Sequence, residues 1–119
     1  MQNKTATVYW LHLKDYTNVL NEGYVGVTTR SVNIRFKEHC SRYRNSYNQY
    51  SALHLAFATH GLENVIKTEL YSCDIKEAYE IECILRPFDY IGWNSVQGGK
   101  LSPSVLEMIH RRRNAVLSR

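Results

Sequence analysis

The chain lacks any apolar run approaching the roughly 20 residues that a bilayer-spanning helix needs, which argues against a helical membrane protein. Cysteine is scarce. The three present, Cys40, Cys73 and Cys83, are an odd number with no CxxC pair. This argues against a disulfide framework and a zinc site and fits reduced thiols in a cytoplasmic protein. Met1 to Thr7 is polar and has no apolar core of the kind a secretory signal carries. Internal repeats, low-complexity tracts and linkers are absent, as are helix-turn-helix and zinc-finger patterns. With 119 residues, one domain is expected, since two would each be short of core. A hydrophobic share of 44% against 22% charged residues is that of a globular protein and does not suggest disorder.

Charge is distributed unevenly. The net value of +4 permits nucleic-acid binding without establishing it. Arg30, Arg35, Lys37, Arg42 and Arg44 crowd one stretch opposed only by Glu38, and Arg111, Arg112, Arg113 and Arg119 close the chain. Between them lie Glu63, Glu69, Asp74, Glu77, Glu80, Glu82 and Asp89. Basic flanks around an acidic centre suit a phosphate-binding surface with a metal site inside it; each cluster alone is better explained as a solvated helix face.

Residue patterning predicts an α/β (α+β) chain. Thr5 to Leu13 is β-branched and aromatic, and reads as a strand. Asn18 to Gly23 supplies the Asn and Gly of a connection to a second strand, Gly23 to Thr29, paired antiparallel. Gly26 within that strand marks a bulge or the close approach of another group. Ser31 caps a helix reaching about Arg44, with apolar positions at Val32, Ile34, Phe36 and Cys40. A tyrosine-rich loop, Tyr43 to Tyr50, follows. Ser51 caps a second helix that ends at Gly61. Asn64 to Ser72 alternates as a third strand, and Asp74 caps a helix from Ile75 to about Leu85, stopped before Pro87. A loop through Gly92, Trp93, Asn94 and Gly98-Gly99 leads to Ser102-Pro103, which opens a final helix with Leu106, Ile109 and Val116 as its apolar stripe. The order is β-β-α-α-β-α plus a C-terminal helix: a small, mainly antiparallel three-stranded sheet flanked by helices. The core spans about residues 5–100 and the basic last helix about 102–117.

Candidate chemistry sits on these elements. Tyr9 and Tyr24 fall on the first two strands. Arg35 and His39, four apart on one helix, share a face and pair a fixed cation with a group that titrates near neutrality. On the third helix Ala78, Ile81 and Leu85 share the apolar face with Glu82 at its edge, where a carboxylate can hold a hard cation. Glu80 falls on the opposite side, toward solvent. Asn94 places a polar amide in a loop whose glycines allow close backbone approach.

Taken in order, these motifs resemble the GIY-YIG nuclease superfamily. Val8-Tyr9-Trp10 and Tyr24-Val25-Gly26 match its two opening motifs. Arg35-Phe36 and His39 match its helical arginine and histidine, Glu82 its single metal-binding glutamate, and Gly92-Trp93-Asn94 with Gly98-Gly99 its late loop. The likeness runs from about Thr7 to Gly99 and comprises five short motifs on the right elements. The usual first glycine is replaced here, leaving Thr7-Val8-Tyr9. The lysine that often follows the second motif is missing, with Arg30 nearby.

The resemblance implies a DNA endonuclease with one Mg²⁺ or Mn²⁺ on Glu82, which retains several waters and steadies the leaving 3′ oxygen. Arg35 would neutralise the phosphoryl oxygens, Tyr9 with a lowered pKa or His39 would take the proton of the attacking water, and Tyr24 would position that nucleophile or the phosphate. Asn94 would orient Glu82 or its hydrated ion. Arg30, Lys37, Arg42, Arg44, Lys100, Arg111, Arg112 and Arg113 would track the DNA backbone. Tyr43, Tyr47 and Tyr50 could stack on unpaired bases, or simply crowd a surface loop. Specificity would come from this domain, from a homodimer or from a recruiting protein. The alternatives are a nucleic-acid-binding domain of this fold without catalysis, and a regulatory protein that uses the basic C-terminal helix to hold an acidic partner.

Overall fold

Strand β1, Thr5–His12, is covered on both faces, and that makes it the centre of the sheet. The computed structural model describes residues 4–99 and 103–117. Lys100, Ser102 and Arg119 lie outside the described residues, as do the side chains of Leu106, Ile109 and Val116. On one side β1 pairs antiparallel with β2, Tyr24–Thr28; on the other it pairs antiparallel with β3, Ile66–Asp74, giving the order β2-β1-β3. β3 starts and ends two residues later than its alternation suggests, because Leu62–Asn64 is taken up by a short 3-10 turn. The register also shifts. Val8 faces Tyr71 but Tyr9 faces Glu69, so Leu70 is an extra residue in a bulge.

Three helices begin where a short polar side chain accepts an otherwise unpaired N–H. Ser31 Oγ accepts from Ile34 N–H at 3.1 Å to start α1, Val32–Asn45. Ser51 Oγ accepts from His54 N–H at 3.2 Å for α2, Ala52–His60, and Asp74 Oδ1 accepts from Glu77 N–H at 3.0 Å for α3, Ile75–Leu85. α4, Pro103–Leu117, closes the fold.

Side chains alternate across β1 into two cores. Tyr9 and Leu11 pack with Val32, Leu53, Ala56, Phe57, Val65 and Trp93 under α1 and α2. Ala6, Val8 and Trp10 pack with Val25 and Ala78, bordered by Ile81 and Leu85, under α3. Two expectations fail locally. Ile34 is 47% exposed, because α1 turns it away from the sheet that Val32 and Phe36 meet. Tyr43 belongs to the last turns of α1 and not to the loop, and packs edge-on against Phe57 at 5.5 Å. All three cysteines are free. Among the described residues no helix is long and apolar enough to cross a membrane.

Candidate active site

The register of β1 on β2 sets Tyr9 opposite Gly26. A Cβ at Gly26 would lie 2.4 Å from the Tyr9 hydroxyl and 2.5 Å from its Cζ, so the Tyr9 ring occupies the volume a side chain would fill. This is the close approach that the glycine signalled. Tyr9 is 1% exposed. Its hydroxyl makes a 2.9 Å hydrogen bond with Nε2 of His39 on α1. Tyr24 completes the cluster, with its ring 6.1 Å from Tyr9 and 5.2 Å from His39.

In front of this cluster is a cavity of about 330 Å³, whose walls include Tyr24, Arg35, His39, Arg42, Glu82 and Asn94. The structure therefore brings the residues expected from β2, α1, α3 and the late loop to one space. Tyr9 is the exception: it lies behind the wall, reached through His39. Glu80 is half-buried and not turned wholly to solvent, yet it is Glu82 that reaches the cavity.

Glu82 is placed by the glycine pair. A Cβ at Gly98 would come within 2.5 Å of Glu82 Cγ, and one at Gly99, whose φ is +88°, within 2.8 Å of Cys83 Cβ. Only a bare backbone can lie this close to α3. The closeness lets Gly99 N–H donate to Glu82 Oε1 at 2.6 Å and aims the carboxylate.

Asn94 does something other than orient Glu82. Its Nδ2 donates to Val25 O at 2.9 Å and its Oδ1 accepts from Val25 N–H at 2.9 Å. The carboxamide thus imitates a neighbouring strand on the free edge of β2 and satisfies an edge that would otherwise be open. Asn94 Oδ1 also accepts from Arg86 Nε at 2.8 Å.

Arg86 is the residue that sequence reasoning missed, having served there only as a helix stop. Among the described residues it is the largest fully buried side chain, with 0% exposure. Nη1 donates to Val19 O and Leu85 O, and Nη2 to Glu22 O and Gly23 O, at 2.6 to 2.9 Å. With the bond to Asn94, every donor direction meets an oxygen and no carboxylate is involved. Burial, and then the charge of Arg113, lower its pKa from 12.5 to about 10, so it remains charged at neutrality. It ties the β1–β2 connection to the late loop that carries Asn94 and the glycine pair. No local pattern distinguishes such an arginine from a surface one.

The electrostatics overturn one expectation and reshape another. Burial, followed by the neighbouring Tyr24, pushes the Tyr9 phenol well above its ordinary range, although Arg35 opposes the shift. A lowered Tyr9 pKa does not obtain in the free protein. Burial also raises Tyr24, helped by the negative charge of Glu82. His39 is lowered from 6.5 to about 3 by burial, then by the charges of Arg35 and Arg42, so it is neutral at physiological pH. The good match to neutrality expected of His39 is absent in the free protein.

The expected backbone-tracking cations do not share one surface. Arg42 lines the cavity. Lys37 and Arg44 face a separate groove on the other side of α1, with Lys67. Arg111 and Arg112 are exposed on α4. Arg30 is ion-paired with Glu38, and Arg113 donates to Ile84 O at 2.9 Å, docking α4 on α3. Arg35 lies 3.5 Å from Glu38 while it lines the cavity.

Among the described residues no group of three or more His, Cys, Asp and Glu is gathered to hold a metal. A site built on one carboxylate suits a hard ion that keeps most of its waters, as Mg²⁺ does, and does not suit zinc. Comparison with family models, curated proteins and solved structures returned no match.

Proposed function

We propose that the chain is a metal-dependent DNA endonuclease of the GIY-YIG type, working in the cytoplasm. What carries the reading is one observation: Tyr24, Arg35, His39 and Glu82, drawn from three separate elements, line a single cavity. A fixed cation, two groups able to handle protons and one carboxylate are what phosphodiester hydrolysis asks of a protein.

Glu82, held by Gly99 N–H, is the residue that would bind Mg²⁺ or Mn²⁺. The chemistry such an ion supplies is Lewis-acid stabilisation of negative charge on the phosphate and on the departing oxygen. Arg35 and Arg42 receive the phosphate oxygens. Their neutralisation by the substrate removes two of the influences that hold His39 down, so the imidazole gains basicity as the phosphate arrives. His39 Nε2 is engaged by the Tyr9 hydroxyl. In this reading Nδ1 accepts the proton of the attacking water while Tyr9, too deeply buried to ionise cheaply, fixes the ring. Tyr24 orients the water or a phosphate oxygen from the cavity wall. As the water oxygen bonds to phosphorus, the bond to the 3′ oxygen breaks.

The test is cleavage of supercoiled plasmid with Mg²⁺ or Mn²⁺. The wild type is expected to nick or linearise it, and Glu82→Gln to lose activity by about 10³-fold or more while still binding DNA. Binding without nicking by the wild type with either ion overturns catalysis and leaves a DNA-binding domain. Near-normal cleavage by Glu82→Gln overturns the site.

A further inference from the structure

The loop between α1 and α2 exposes two aromatic rings where a soluble protein has no need of them. Tyr47 is 50% exposed and Tyr50 79%. With Asn48 and Gln49 alone they line a concavity of about 370 Å³. The loop is held in shape by its own polar groups. Asn48 N–H donates to His54 Nδ1 at 3.0 Å, Tyr50 N–H to Asn48 Oδ1 at 2.9 Å, and Ser51 N–H to Asn48 O at 3.0 Å. Ala52 N–H then donates to Ser95 Oγ at 2.8 Å, fastening the start of α2 to the late loop. Rings presented on a fixed frame pay little ordering cost when a flat ligand binds.

The position of this concavity matters more than its exposure. Tyr47 stacks on His54, with centroids 6.2 Å apart and planes 21° apart. His54 and Ser51 are themselves walls of the catalytic cavity. The aromatic surface therefore continues the cavity outward. At the same end of α1 the last turn carries Arg42, itself a wall of the cavity, which would draw in a phosphate backbone. The other exposed tyrosines, Tyr71 and Tyr90, do not border the cavity.

Resting on the nuclease reading, we propose that Tyr47 and Tyr50 form a stacking platform for one unpaired DNA base next to the phosphate that is cut. The preferred substrate is then DNA with a single-stranded or extrahelical nucleotide at the cleavage position. Flat apolar ring faces accept any base, and the Asn48 and Gln49 amides lie alongside for hydrogen bonds to its edge. A paired base, already stacked in its helix, gains nothing there.

The experiment is equilibrium binding in EDTA, which needs no catalysis, with a 2-aminopurine reporter placed in a gapped duplex and in the same duplex fully paired. Wild type is expected to bind the gapped form more tightly by about tenfold and to change the reporter's fluorescence. Tyr50→Ala should lose that preference and leave duplex affinity within about twofold; Tyr50→Phe should keep it, because stacking needs the ring and not the hydroxyl. Tyr50 is too exposed for its loss to threaten folding. Equal weakening of both DNAs by Tyr50→Ala, or failure of Tyr50→Phe to retain the preference, overturns the platform. So does a dimer in sedimentation that Tyr50→Ala dissociates, since a second copy would then be the occupant. A preference retained by a protein that cuts neither plasmid nor the gapped duplex with Mg²⁺ or Mn²⁺ sinks the nuclease reading alone; lost preference in an active nuclease sinks this inference alone.

Discussion

Arg35 and Arg86 are the same residue in two settings. Arg86 is sealed among main-chain carbonyls and one carboxamide, each donor direction already met by a protein oxygen. Arg35 stands on a cavity wall, beside Tyr9 and 3.5 Å from Glu38, with room in front of it. The first arrangement has nothing left to offer a ligand, and its charge is tolerated only because the surrounding dipoles replace water. The second leaves hydrogen-bonding capacity facing a space that can be filled. A cation is committed to the fold when its geometry is closed, and is available to a ligand when it opens on a cavity.

The comparison is broken most directly by removing each arginine. Arg86→Leu should cost about 3–5 kcal/mol of stability in urea unfolding, because it strands several buried acceptors at once. A cost below about 1 kcal/mol would mean the clamp is dispensable. Arg35→Ala should lower single-turnover cleavage by about 10²–10³-fold while leaving the urea midpoint nearly unchanged. A large fall in its midpoint with intact cleavage would make Arg35 another Arg86. The smallest effect sharpens the electrostatics. His39 has its folded-state pKa lowered from 6.5 to about 3, so between these values the unfolded chain binds the extra proton. Stability from this source is complete above pH 6.5 and is lost as pH falls through the window toward 3. His39→Gln should flatten the upper part of that decline, before carboxylates titrate, as read from urea midpoints across pH; an unchanged slope would mean that His39 titrates normally.

Much of this was legible in the residues. Ser31, Ser51 and Asp74 announce helix starts because a short side-chain oxygen can meet an N–H only two or three residues on. Gly26 announced a close approach, and the Tyr9 ring supplies it. The edge position of Glu82 beside Ala78, Ile81 and Leu85 follows from helical geometry, and it does line the cavity. What escaped were partners distant in sequence. Asn94 meets Val25, Arg86 meets Val19 and Gly23, and Arg113 meets Ile84. The bulge at Leu70 of β3 escaped too, because a bulge is decided by the strand it pairs with.

The amino-acid order by itself determined the elements, their order and a short set of candidate site residues, of which Tyr24, Arg35, His39, Glu82 and Asn94 line one cavity. Those are local matters of periodicity, capping and side-chain chemistry. Only the tertiary structure decided that Tyr9 lies behind His39 and not on the wall, that Asn94 closes a strand edge, and that Arg86 is a buried clamp. Burial, and the field of neighbouring charges that sets a pKa, are properties of the packed assembly, in which residues far apart in the chain become one another's solvent.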